Sequence, residues 1–146
     1  MKNLKKSFIV FSMLALTAVP AFARTWIEIG NGHYIDSESI KPYSSYGSYT
    51  MDTKYIGKNA PVDKVNGKDV WTIKTYSYID CKSAYAKTLT ITALDADDRV
   101  VFSDKNIGKQ WYGINNPGSR AYESYMFVCS DKYLNARPGY HNLWWY

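Results

Sequence analysis

Val70-Trp71-Thr72-Ile73-Lys74-Thr75-Tyr76-Ser77-Tyr78-Ile79-Asp80-Cys81 is the stretch on which the fold turns. It is rich in β-branched and aromatic residues, the types that suit a pleated, half-buried surface. Its period is two. Trp71, Ile73, Thr75, Ser77, Ile79 and Cys81 share one face, while Val70, Thr72, Lys74, Tyr76, Tyr78 and Asp80 share the other. Successive strand side chains point to opposite faces. The stretch is therefore read as a strand whose apolar face ends at a cysteine.

Strand signals continue on both sides. Residues 84–94 alternate again, with Tyr85, Leu89 and Ile91 expected on one side. Asp95-Ala96-Asp97-Asp98 reads as a tight turn into Arg99-Val100-Val101-Phe102-Ser103, which completes a meander. Upstream, residues 48–56 place Tyr49, Met51, Thr53 and Tyr55 opposite Thr50, Asp52 and Lys54. The polar segment 57–69, with Pro61 and Asn66-Gly67, is read as a long hairpin connection. Nearer the start, Thr25-Trp26-Ile27-Glu28-Ile29 and His33-Tyr34-Ile35-Asp36 flank a Gly30-Asn31-Gly32 turn. Asp36 is placed to cap a turn or single helical turn over Ser37-Glu38-Ser39-Ile40.

The period changes after residue 116. Residues 104–116 are irregular, with Trp111, Tyr112 and Ile114 expected to anchor the segment onto the sheet. Pro117-Gly118-Ser119 then precedes a helix over 120–130, with Ser119 as N-cap and Glu123 in the first turn, where the helix dipole favours an anion. Tyr122, Tyr125, Met126 and Cys129 stand at i, i+3, i+4 and i+7, the spacing of one apolar helix face. The expected class is α+β: a single antiparallel sheet of about six strands with one C-terminal helix packed on it. A bridge between Cys81 and Cys129 would tether that helix across the sheet.

The ends bound the compartment. Lys2, Lys5 and Lys6 precede the apolar run 8–16, and Ala21-Phe22-Ala23 offers small residues at −3 and −1. That order is the pattern of a cleavable signal peptide over residues 1–23. The alternative is a retained membrane anchor, but the apolar run is shorter than the ~20 residues that span a bilayer. Cleavage leaves residues 24–146 as one domain, with 131–146 an aromatic tail. No later apolar run is free of charges, so no transmembrane segment is expected. Arg24 rather than cysteine follows the cut, so the mature chain is expected to be exported, periplasmic or secreted, and without a lipid anchor. Of the net charge of +5, the three signal lysines account for three, leaving about +2. No basic stripe stands out, which makes nucleic acid a poor partner.

The cysteine count is two, Cys81 and Cys129. An even count in an exported chain favours a disulfide. Two free thiols are the alternative. A metal site is disfavoured because there is no CxxC and His33 and His141 stand apart.

Nothing in the chain assembles a nucleophile, a base and an orienting group. His33, beside a turn, and His141, in the tail, are both read as surface histidines. Glu28 and Asp36 are read as solvated or capping carboxylates. The acidic turn at 95–98 lacks the glycine and bidentate glutamate of an EF-hand. There is no Gly-rich phosphate loop, and no cofactor is expected. A small hydrolase is the least supported reading. The aromatic content carries more information: 14 Tyr and 5 Trp are more than a core of this size takes with their polar ends satisfied. Tyr43, Tyr46 and Tyr49 punctuate a Ser/Gly stretch, a composition suited to adaptable recognition. Trp144, Trp145 and Tyr146 offer a second patch. Together these six are the candidate binding surface, for a protein or other macromolecule or for a homodimer contact. Packing on the domain's own surface is the alternative.

Taken in order, Trp26-Ile27-Glu28-Ile29, Tyr34-Ile35-Asp36, Ser39-Ile40, Asp80-Cys81, Val100-Val101-Phe102-Ser103, Trp111, Pro117-Gly118-Ser119, Glu123 and Cys129 resemble the surface-adhesin protein E family of Gram-negative exported proteins. The resemblance runs from Trp26 to Cys129. It implies a curved antiparallel sheet with a C-terminal helix pinned by the disulfide, and a non-enzymatic, adhesin-like protein. The tail after Cys129 matches no family motif, and the missing cysteine after Ala23 departs from an anchored adhesin. A periplasmic structural or envelope-maintenance protein without a host ligand is therefore the alternative. The disulfide has a direct test. Intact mass after alkylation should gain two alkyl groups only if reductant is added first, and labelling without reductant overturns the bridge.

Overall fold

The computed structural model describes residues 24–43, 47–105, 107–108 and 110–130. The expected signal peptide, Tyr46, His141 and the tail with Trp144, Trp145 and Tyr146 lie outside the described residues.

Ten strands precede one helix. They are β1 (Trp26–Gly30), β2 (His33–Asp36), β3 (Lys41–Pro42), β4 (Ser48–Ile56), β5 (Asp63–Val65), β6 (Lys68–Val70), β7 (Thr72–Asp80), β8 (Tyr85–Leu94), β9 (Val100–Asp104) and β10 (Tyr112–Gly113), followed by α1 (Arg120–Cys129). Eight of the strands form one antiparallel sheet in the order β1-β2-β4-β7-β8-β10, with β3 beside β4 and β9 beside β8. The sheet thus has eight strands rather than about six. The two additions, β3 and β10, are two residues each. Alternation cannot register in so short a run; only their pairing partners make them strands.

The segment between β4 and β7 is not a plain connection. β5 and β6 form their own two-stranded ribbon. Asn66 and Gly67 turn it with φ of 50° and 78°. Positive φ at both central residues is the geometry that Asn-Gly favours in a two-residue hairpin, because its twist matches that of the strands. Val70 at the end of the ribbon is fully buried.

Register decides which side chains face inward. Tyr49, Met51, Thr53 and Tyr55 of β4 pair with Ile79, Ser77, Thr75 and Ile73 of β7, so all eight share one face. On β8 the alternation breaks. Tyr76 pairs with Thr90 and Ser77 with Thr88, leaving Leu89 as an extra residue. This bulge puts Ile91 on the Ile73 and Ile79 face while Tyr85 shares the opposite face with Asp80. The expectation that Tyr85, Leu89 and Ile91 share a side therefore fails at one inserted residue.

The core forms where α1 lies on this face. Ile35, Met51, Ile79 and Val128 are at most 1% exposed, with Ile40, Tyr49, Ala86 and Ile114 beside them. Asp36 caps the 3-10 turn Ser37–Ser39 by accepting from the Glu38 amide. Ser119 caps α1 by accepting from the Tyr122 amide at 3.2 Å. The buried helix side is centred on Ser124 and Val128, with Ala121 and Tyr125 flanking, whereas Met126 is 46% exposed. Of the expected face, Tyr122, Tyr125 and Cys129 do pack against the core, while Met126 is turned out and Ser124 and Val128 take the buried centre. Hydrophobicity pointed to Met126; Val128 takes the buried place instead.

Cys81 and Cys129 are bridged, with Cα atoms 5.5 Å apart. Closing the 48-residue separation removes denatured-chain entropy corresponding to about 4 kcal/mol in the chain-entropy model. Among the described residues no helix is long and apolar enough to cross a membrane. Val128→Ala should lower stability by about 2 kcal/mol, the range of large-to-small core changes, while Met126→Ala should stay within ~0.5 kcal/mol. Urea unfolding of the two variants checks the roll of the helix; equal losses contradict it.

Candidate functional site

The face of the sheet away from α1 is the candidate binding surface. Strand pairing sets its rows. Thr50, Tyr78 and Lys87 lie side by side on β4, β7 and β8. Glu28, Tyr34, Lys54, Lys74 and Thr92 form a parallel row across β1, β2, β4, β7 and β8. The even-numbered positions of β4 and β7 thus project here, as do Lys87 before the β8 bulge and Thr92 after it, and the sequence supplies tyrosine, lysine and threonine in these rows.

Three rings form an array at one end. Tyr43 meets Tyr78 edge-on with centroids 5.0 Å apart, and Tyr78 meets Trp111 edge-on at 5.0 Å. Edge-to-face contact aligns the positive rim of one ring with the negative face of the next and is worth about 0.5–1.5 kcal/mol beyond burial. Tyr78 is 8% exposed and supports the other two, which are 54% and 47% exposed. The Lys87 ammonium lies 5.4 Å from the Trp111 ring centroid. Farther along the same face Lys54 lies 4.2 Å from the Trp26 centroid and 5.3 Å from that of Tyr34. Burial, and then Lys74 beside it, hold the Lys54 amine below its ordinary pKa. Asp52, two residues before Lys54, is pushed up by burial, with Arg24 at 3.6 Å partly opposing the shift. The surface therefore offers rigid rings with cations against them.

The structure divides the residues named from the sequence. Tyr43 is on this surface. Tyr49 is not: it points to the helix side, is 5% exposed and belongs to the core. Its parity on β4 decides this, since Tyr49 pairs with Ile79 and not with Tyr78. Tyr46, Trp144, Trp145 and Tyr146 lie outside the described residues. Trp111 and Tyr112, expected as sheet anchors, do meet the sheet, through the Tyr78 ring and through pairing with Ala86, but stay 47% and 40% exposed, whereas Ile114 is buried. Tyr78, Lys87, Trp26 and Lys54 were legible only as alternating strand positions.

The acidic turn is structural. Asp95 Oδ1 accepts from the Asp97 and Arg99 amides at 2.9 Å, and Arg99 Nε donates to Asp95 Oδ2 at 2.9 Å. Those bonds, together with the Arg99 charge, hold the Asp95 carboxyl below its ordinary pKa. Glu28 accepts from the Gly32 amide and from Lys58 at 2.8 Å. Among the described residues no three His, Cys, Asp or Glu side chains group as metal ligands.

His33 corrects another expectation. It is 3% exposed, on the helix side, and its Nδ1 lies 2.8 Å from Glu123 Oε2 of α1. Parity places it inward, because His33 pairs with Tyr55. Gly30 makes the contact possible: a methyl group there would overlap the Glu123 carboxylate. Burial holds the His33 pKa below its ordinary 6.5, with the Glu123 bond partly opposing the shift.

No family model matches the chain, and comparison with curated proteins finds none similar in sequence. Solved structures do match. Haemophilus influenzae protein E aligns with TM-score 0.51 and 14% identity over 77% of this chain and 89% of that one. Its selenomethionine form aligns with TM-score 0.50 and 14% identity over 73% and 86%.

A histidine with a lowered folded pKa leaves the unfolded chain binding more protons below pH 6.5. Stability should therefore fall as pH drops from 6.5 toward the lowered value, at up to about 1.4 kcal/mol per pH unit for one proton. His33→Asn should flatten that limb in denaturation curves taken across pH; an unchanged slope contradicts a buried neutral His33. The resemblance read in the sequence is met at the level of architecture: this chain has the fold of Haemophilus influenzae protein E.

Proposed function

We propose that the chain is an exported, non-enzymatic binding protein that recognises a macromolecule, of a host or of the cell envelope, through the helix-free aromatic face. The observation that carries this reading is the Tyr43–Tyr78–Trp111 array with Lys87 against its outer ring. Large exposed rings held rigid by a buried one lose little side-chain entropy on binding, and aromatic anchors dominate interface energetics. The resemblance to the protein E family supports an adhesin-like role. The signal-peptide pattern at residues 1–23 supports export.

Purified mature protein, immobilised and challenged with matrix proteins and with envelope components, tests this reading. Retention with a micromolar dissociation constant is expected. Trp111→Ala should weaken it by tenfold or more, consistent with the ~2 kcal/mol cost that defines a hot spot. Failure to retain any partner at micromolar concentration overturns the proposal. Sedimentation of the free protein reads out self-association through the same rings. A mass that doubles with concentration and reverts in Trp111→Ala identifies a homodimer contact in place of a foreign partner.

A further inference from the structure

The helix side of the sheet carries hydroxyl groups where a core would carry methyl groups. Thr53 pairs with Thr75, and Ser77 with Thr88, on adjoining strands. The first turn of α1 lies above them, and the two layers enclose a cleft of about 210 Å³. At ~30 Å³ per liquid water that space is about seven waters, the size of one monosaccharide.

Several of these hydroxyls satisfy one another. Thr53 and Thr75 are 2.7 Å apart, Ser77 donates to Thr75 at 3.3 Å, and Thr88 meets the Tyr112 hydroxyl at 3.2 Å. Ser124 does not. It lines the cleft from α1, is 5% exposed, and makes no side-chain hydrogen bond among the described residues. A buried hydroxyl without a partner costs about 1–3 kcal/mol, which a ligand hydroxyl would remove. His33 lines the same cleft with Nδ1 taken by Glu123, leaving Nε2 without a partner among the described residues.

The charge of the cleft is one-sided. Arg120 stands at its rim with the guanidinium carbon 4.2 Å from the Tyr55 centroid and forms no ion pair among the described residues. Glu123 is engaged by His33 instead, and among the described residues no carboxylate lines the cleft. A stacked guanidinium keeps its in-plane N–H groups free for bidentate pairing with a carboxylate.

We propose that this cleft binds a monosaccharide-sized sugar acid, its hydroxyls paired with Ser124, His33 and the strand hydroxyls and its carboxylate with Arg120. A simple anion would engage Arg120 and leave the hydroxyls unused. A neutral sugar would leave the cation unused. The site lies on the opposite side of the sheet from the aromatic array, so it stands or falls independently of the proposed macromolecular surface.

Titration of the disulfide-intact mature protein with glucuronate, galacturonate, glucose, galactose and acetate, followed by amide NMR shifts, tests this. Saturable shifts at residues 53, 75, 77, 88 and 124 are expected with one of the uronates, at a millimolar or tighter dissociation constant. The matching neutral hexose and acetate should bind at least tenfold more weakly, a difference of about 1.4 kcal/mol. Arg120→Gln, at a rim position, should lose that preference while its melting temperature is kept. Ser77→Ala, a deletion of one hydroxyl, should weaken the uronate without changing the acetate response. Absence of saturable uronate binding overturns the proposal. So does equal affinity for uronate and hexose, or for uronate and acetate.

Discussion

The Cys81–Cys129 bridge is the constraint on which the rest of the arrangement depends. It joins the residue after β7, a central strand, to the last residue of α1. The Tyr125 hydroxyl donates to the Cys81 carbonyl at 3.3 Å beside it. A helix of ten residues is too short to be stable alone in water, so it holds its shape by packing. Its C-terminal end is pinned, and Val128 rather than Met126 enters the core. The other end is held by a different contact. Glu123 reaches His33 through the space that Gly30 leaves empty. The hydroxyl-lined cleft lies under the first turn of this helix, beside the His33–Glu123 contact.

The two faces of the sheet divide the chemistry. On the helix side, apolar residues concentrate near the disulfide and hydroxyls near the helix start. On the far side, rings and lysines alternate across strands. The one histidine among the described residues, His33, is paired with the Glu123 carboxylate of the helix.

Much of the architecture was legible because strands announce themselves by period. The five-residue and longer strands, both caps and the β8–β9 turn are local events, decided by neighbouring side chains and backbone. Asn66-Gly67 carried a stronger signal than the reading drew from it, since that dipeptide specifies a hairpin of its own. Leu89 carried none. One inserted residue in a strand changes the parity of everything beyond it, and a regular-looking sequence does not mark which residue is the insertion. Tyr49 and His33 show the same limit from another side. Each looks like a surface residue by type and is buried by parity.

By itself the sequence determined the longer strands, the C-terminal helix, the case for a disulfide and the resemblance to the protein E family, because these follow from local periodicity and from the chemistry of single residues. Only the tertiary structure decided which of the described rings face outward, that His33 is buried, and that Arg120 and Ser124 overlie the Thr53, Thr75, Ser77 and Thr88 hydroxyls. Those outcomes depend on register between strands and on the roll of a helix, and both are set by contacts between residues far apart in the chain.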